Sequence, residues 1–131
     1  MNKTKRIIAY ARSATLKGPN DPNSCMEQLL SISEWAEHNG HIMKSMLADY
    51  GHGGNSLSRN FFELLDQVKS EDRDFDAIVL TEPSRIARNS ILLGNVLHIC
   101  ALAGVEVIFH KIQPSTVPSW VKNVFAGVVR K

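Results

Sequence analysis

Two cysteines in 131 residues cannot frame a disulfide-stabilised fold. Cys25 and Cys100 each fall inside an apolar helical pattern, where a reduced packing thiol in a cytoplasmic protein is a better reading than a disulfide or a metal ligand. Charge of one sign is also scarce: 15 Lys and Arg against 13 Asp and Glu leave a formal net charge of +2. That mild basic excess neither requires nor rules out a nucleic-acid partner. No apolar run approaches the length of a membrane span. The basic start Met1-Asn2-Lys3-Thr4-Lys5-Arg6 leads into an apolar run that Arg12 breaks before a secretory core could form. His38, His41, His98 and His110 lack metal-ligand spacing, and no glycine-rich strand-to-helix turn of the dinucleotide type occurs. No cofactor or metal is therefore expected, and no membrane partner. Internal repeats and low-complexity segments are absent as well.

What is present is a core. At 44% hydrophobic residues, the chain has enough apolar surface for one domain spanning residues 1–131. The hydrophobic period alternates between strand-like and helix-like. Arg6 to Arg12 reads as a buried strand through Ile7, Ile8, Ala9, Tyr10 and Ala11. Ser24 with Glu27 forms a capping-box pattern, after which Cys25, Leu29, Ile32 and Ala36 recur at helical spacing until Asn39-Gly40. His41 to Asp49 reads as a second strand, with Lys44 and Ser45 against it. Gly51-His52-Gly53-Gly54-Asn55 is a loop. Phe61, Leu64, Leu65 and Val68 line a second helix; Phe75 to Thr81 is a strand; Ile91 to Ala103 is a helix ended by Gly104; Val105 to His110 is a fourth strand. Beyond Pro114 and Pro118, Trp120, Val121, Val124, Phe125 and Val128 space as an amphipathic helix over 119–131.

This order predicts an α/β fold: a mainly parallel four-stranded sheet with helices on both faces, plus a short C-terminal helix. In such a sheet the functional loops gather at the carboxyl ends of the strands. Those ends carry Arg12, then Asp49 to Arg59, then Glu82 to Arg88. Arg12, Arg85 and Arg88 thus converge on one sheet edge, and forked guanidinium donors converging there make a phosphate site. For any one arginine alone the bland alternative is stronger: Arg12 closing a salt bridge with Asp49, or Arg85 and Arg88 capping a surface helix. Asp49 reads as an orienting partner for an arginine, and His52 as a solvated loop residue. Trp120 and Phe125 read as packing residues or as an exposed interface.

Tyr10-Ala11-Arg12-Ser13-Ala14-Thr15 resembles the strand-end signature of the resolvase/invertase serine recombinases. Gln28 matches a glutamine of their first helix. Asp49-Tyr50-Gly51-His52-Gly53-Gly54-Asn55-Ser56-Leu57-Ser58-Arg59 is similar to their second motif, and Ser84-Arg85-Ile86-Ala87-Arg88-Asn89 to their third. The resemblance covers most of the chain. It implies a resolvase-like catalytic domain of a site-specific recombinase, with functions in DNA recombination and integration such as mobile elements use. Such enzymes cut DNA by attack of a serine hydroxyl on a backbone phosphate, leaving a phosphoserine link, and use no metal. Arg12, Arg59, Arg85 and Arg88 would then stabilise the phosphoryl oxygens, with Tyr10, Gln28, Asp49, Gly54 and Ser84 in support.

The departures from the family pattern are as informative. The family nucleophile lies two residues after the first arginine, where this chain has Ala14; Gly53 stands for a usual serine and Ser84 for a usual aspartate. The resemblance therefore implies impaired or absent cleavage, while arginines can still bind a phosphate without the nucleophile. Ser13 is the nearest substitute hydroxyl, but strand alternation turns it away from the face shared by Arg12 and position 14 unless a bulge intervenes. Thr15 and Ser84 are hindered by branching or distance. Three scattered changes argue for degeneration over one engineered replacement. Similar recombinases continue into a long dimerisation helix and a DNA-binding domain, whereas this sequence ends at Lys131. The expectation is weak, salt-sensitive contact with DNA backbone phosphates, with self-association or association with an intact recombinase. The alternatives are a non-catalytic DNA-binding or protein-interaction module derived from a recombinase, and a small-ligand binder of flavodoxin-like topology.

Overall fold

The computed structural model describes residues 4–13, 24–51 and 57–111. The expected C-terminal helix over 119–131, Ala14, Thr15, Gly53 and Gly54 lie outside the described residues. In chain order the elements are β1 (Arg6–Ser13), α1 (Cys25–His38), β2 (Ile42–Tyr50), α2 (Arg59–Lys69), β3 (Ala77–Leu80), a 3-10 turn (Pro83–Arg85), α3 (Ser90–Ala103) and β4 (Glu106–Phe109). Every expected strand and helix among these is present, with ends shifted by one or two residues.

The four strands form one sheet in the order β2-β1-β3-β4, and every neighbouring pair is parallel. β1 is central, and all of its residues from Ile7 to Ser13 are buried. Alternation along it divides the core. Ile7 and Ala9 pack with Ile32 and Ala36 of α1 on one face, while Ile8 and Tyr10 pack with Phe61, Leu64, Leu93 and Leu97 of α2 and α3 on the other. Each fully buried Ile, Leu or Phe side chain among these contributes about 1.5–3 kcal/mol relative to exposure. The Tyr10 and Phe61 rings meet edge-on with centroids 4.8 Å apart, adding about 0.5–1.5 kcal/mol beyond area burial.

The uncertain second strand has a physical explanation. β2 is an edge strand, and its register to β1 slips between Ile7↔Met43 and Ile8↔Ser45, leaving Lys44 at the bulge. Lys44 there faces Asp74 at 3.6 Å, so a charged residue costs the core nothing.

Helix starts follow local chemistry in two cases and tertiary chemistry in one. Ser24 caps α1 by accepting the Glu27 N–H at 3.1 Å, and Asn89 caps α3 by accepting from Ile91 and Leu92. Gly104 ends α3 in the left-handed conformation at φ 79°. Ser58 at the start of α2 makes no such side-chain bond; a carboxylate from β2 takes its place, as described below. After β1 the chain crosses by α1 to β2 on one side; after β3 it crosses by α3 to β4 on the other. The carboxyl ends of β1 and β3 are therefore the topological switch point, where such sheets open a crevice for ligands.

Candidate phosphate site

Arg12 is the last residue but one of β1, and its guanidinium reaches across the switch point to the segment following β3. Its Nε donates to the Arg85 carbonyl at 3.0 Å and its Nη2 to the Ser84 carbonyl. Arg85 returns the contact, donating from Nη1 to the Arg12 carbonyl at 3.2 Å, and pairs through Nη2 with Glu82 at 2.8 Å. The 3-10 turn exists to make this possible. Pro83 starts it, and the Arg85 and Ile86 N–H groups close it on Glu82 and Pro83, which leaves the Ser84 and Arg85 carbonyls directed at β1.

These bonds leave a remainder. Arg12 is only 6% exposed, yet its Nη1 is buried with no hydrogen-bond partner among the described residues; the same holds for Arg85 Nε and Thr81 Oγ1. Buried donors of this kind normally have partners, so an unpaired guanidinium nitrogen marks a place where an acceptor belongs. Electrostatics agree. Burial pushes the Arg12 guanidinium below the usual arginine value; the oxygens of Tyr10 and Asp49 oppose this, and the charges of Arg85 and Arg88 add to it. An anion at this point would relieve both burial and like-charge repulsion.

Other expected residues support the site or stand apart from it. Gln28 on α1 brackets the Arg12 backbone, accepting its N–H at 3.2 Å and donating to its carbonyl at 2.9 Å. Arg88 is exposed, close enough to act on Arg12 through its charge. Arg59, expected to join the arginines, is the first residue of α2 with its side chain 88% exposed, and its ion pair is with Glu63 one turn on, at 3.7 Å. Ser84 contributes its backbone carbonyl rather than its hydroxyl. Ser13 is buried and in register with Tyr50, while Arg12 is in register with Asp49. The Ser13 carbonyl accepts the Gly51 N–H at 2.9 Å.

The reading of Asp49 as an arginine's partner is corrected by its contacts, as is the alternative of an Arg12–Asp49 salt bridge. The Asp49 carboxylate accepts the Tyr10 hydroxyl at 2.7 Å and the N–H groups of Asn60 and Phe61 at 3.1 and 3.0 Å. It is the cap of α2, supplied by the end of β2, where the positive end of the helix favours an anion. Burial, then Asp49, holds the Tyr10 hydroxyl far above the usual phenol range, so it stays a donor. Asn60 adds a bond to the Ala48 carbonyl at 2.7 Å. Neither Asn60 nor the Glu82–Arg85 pair belongs to the residues that the motifs point to; an acid three residues before an arginine is the available signal for the second. Cys25 is a packing thiol as expected, lying 3.5 Å from the Asp49 carbonyl, and burial pushes it up. Among the described residues no group of three His, Cys, Asp or Glu could hold a metal ion, and no helix is long and apolar enough to cross a membrane.

The fold has solved counterparts. The N-terminal catalytic domain of TP901-1 integrase superposes with TM-score 0.70 at 16% identity, over 96% of this chain and 93% of that one. A resolvase family site-specific recombinase from Streptococcus pneumoniae gives 0.69 at 21% identity, over 95% and 85%. The C-terminal catalytic domain of ISC1926 TnpA, an IS607-like serine recombinase, gives 0.66 at 20% identity, over 92% and 78%. No curated protein matches the chain. The model of the resolvase N-terminal domain matches residues 7–128, and with this fold and arginine-bearing sheet edge in place, the chain belongs to the resolvase N-terminal domain family.

Proposed function

We propose that this chain is a serine-recombinase catalytic domain that binds a DNA backbone phosphate at Arg12, Arg85 and Arg88 and does not cleave it. The observation that carries the reading is the pair of buried guanidinium nitrogens without a partner among the described residues, Arg12 Nη1 and Arg85 Nε, with Ala14 two residues after Arg12. A phosphate oxygen supplies the acceptor these donors lack, and charge-assisted bonds to it are about twice as strong as neutral ones. A methyl group supplies no attacking oxygen, and removing the nucleophile from a catalytic unit costs orders of magnitude in rate while binding persists.

Arg59 and Gly54 act in this reading as contributors from the second motif, with Arg59 free to swing because its ion pair is an exposed one. Ser13 is the nearest candidate for a substitute hydroxyl, ahead of Thr15 and Ser84, and its register with Tyr50 argues against it as the attacking group. Self-association and contact with an intact recombinase belong to the same reading, and the solved structures of similar fold are of recombinases and an integrase.

The deciding experiment incubates the chain with nicked or gapped DNA and seeks a covalent protein–DNA adduct on a denaturing gel. No adduct is expected from the native chain, and one is expected from Ala14→Ser. An adduct from the native chain that vanishes in Ser13→Ala would overturn the loss of cleavage. Absence of salt-sensitive binding to the same DNA would overturn the phosphate site itself.

A further inference from the structure

The carboxyl end of β1 is flanked on both sides by side chains fastened to its backbone. On the β3 side is Arg85, whose Nη1 donates to the Arg12 carbonyl at 3.2 Å. On the β2 side is Tyr50, in register with Ser13, and the next residue, Gly51, donates its N–H to the Ser13 carbonyl at 2.9 Å. Arg85 and Tyr50 thus stand on opposite flanks of one strand, tied to consecutive residues of it. Cys25, the first residue of α1, lies between them. Its thiol accepts the Tyr50 hydroxyl, feels the charge of Arg85 and donates to the Asp49 carbonyl at 3.5 Å.

Tyr50 is 54% exposed, yet it is held in place. Asp49 before it is buried with three bonds on its carboxylate, Gly51 after it is tied to Ser13, and its hydroxyl is engaged by Cys25. An aromatic ring fixed at its tip and open over more than half its surface is a stacking platform. On the other flank, Arg85 Nε and Arg12 Nη1 are buried and have no acceptor among the described residues. Ring and guanidinium together match the two halves of a nucleotide, the base by stacking and the phosphate by charged donors. That combination selects the occupant. An apolar peptide would cover the ring and leave the guanidinium nitrogens bare; a simple anion would do the reverse. In an intact duplex each base is paired and stacked between its neighbours, so only an unpaired base can reach the ring.

We infer that Tyr50 stacks an unpaired nucleobase beside the phosphate held by Arg12 and Arg85, so that this site takes single-stranded or gapped DNA in preference to intact duplex. The inference rests on the phosphate reading above and names the substrate class for it. Charge alone dictates the opposite order, because a duplex carries about twice the charge of one strand per unit length. Phosphate contacts are available from either form, whereas the stacked base comes only from the unpaired one. Tyr50 is a specificity residue in this account and takes no part in bond cleavage.

Fluorescence anisotropy of the full chain tests this with labelled DNAs of equal length: a single strand, its duplex, and an abasic strand that keeps the phosphates and lacks the bases. The native chain should bind the single strand more tightly than either of the others. Tyr50→Ala should lose about tenfold on the single strand, the effect of about 1.4 kcal/mol, and nothing on the abasic strand. Tyr50→Phe keeps the ring and should bind like the native chain. In both variants the slope of log affinity against log salt should stay unchanged, because the phosphate contacts are untouched. A duplex bound as tightly as the single strand, a Tyr50→Ala variant that binds the single strand like the native chain, or an equal loss on the abasic strand would each overturn the stacking, while salt-sensitive binding in the same titrations would leave the phosphate reading in place. Absence of salt-sensitive binding to all of these DNAs would overturn both.

Discussion

Gln28 and Arg12 exchange two hydrogen bonds across the gap between α1 and β1, the amide oxygen taking the Arg12 N–H and the amide nitrogen giving to the Arg12 carbonyl. Arg12 is thereby held at both ends, by Gln28 at its backbone and by the Ser84 and Arg85 carbonyls at its tip. Gln28→Leu removes the side-chain acceptor of the Arg12 N–H and one of the two side-chain donors to its carbonyl and is expected to cost about 1–3 kcal/mol. Gln28→Glu should cost more, because one carboxylate oxygen would face the Arg12 carbonyl. Urea denaturation of the three proteins orders them.

A second prediction separates the arginines. Arg12→Ala should lower both stability and DNA affinity, since the same guanidinium ties β1 to the turn after β3. Arg88→Ala, at an exposed position, should leave the melting temperature in place and reduce the slope of log affinity against log salt by about one phosphate contact. Fluorescence anisotropy on a labelled duplex at several salt concentrations reads the slope.

Asp49→Ala leaves a phenol and two helix-start N–H groups without their acceptor and should cost about 3 kcal/mol or more. Tyr10→Phe removes one of the three bonds and should cost about 1 kcal/mol. The double variant Tyr10→Phe with Asp49→Ala should cost less than the sum, because the two residues share a bond. Additive losses in denaturant titrations would contradict this coupling.

Much of the fold and part of the site are legible in the sequence, and the dividing line is physical. Strand and helix order follows from local periodicity, and the Ser24 and Gly104 helix ends follow from local chemistry. The convergence of Arg12 with Arg85 follows from parallel topology alone. Asp49 is different, because a cap supplied from another element has no local pattern; nothing near Ser58 says that β2 will provide it. Arg59 shows the reverse case. A matching motif placed it with the other arginines, while its position at the solvent end of α2 gives it Glu63 as neighbour.

The pH dependence of stability should show two steps on the acid side. Arg6 grips Asp76 with Nε on one carboxylate oxygen and Nη2 on the other, and the hydrogen bond from Arg6 holds Asp76 at about 2. A depressed carboxylate stabilises the fold above the ordinary aspartate value near 4 and loses that contribution as pH falls toward 2. The gap in urea midpoint between the native chain and Asp76→Asn should therefore close over that window.

The other step belongs to His110. Burial, with Lys111 adding to it, lowers His110 below the usual histidine value, so the folded state resists its protonation. Its contribution is present above about 6.5 and is lost as pH falls below that point. His110 lies 3.2 Å from the Ser31 hydroxyl and its ring centroid 6.0 Å from that of Trp35. A proton NMR titration of the ring protons should place its midpoint below the usual histidine value of about 6.5. His110→Gln should flatten stability between neutral and mildly acidic pH.

The way Arg12 is held divides one side chain between two duties. Nε and Nη2 are committed to carbonyls of the protein, and Nη1 alone is left for a visitor. An arginine committed in this way cannot be given up when its chemistry lapses, because the joint between β1 and the turn after β3 would open with it. Evolution of a new role at this edge has to proceed through Arg88 and the loops around it, with Arg12 carried along as masonry.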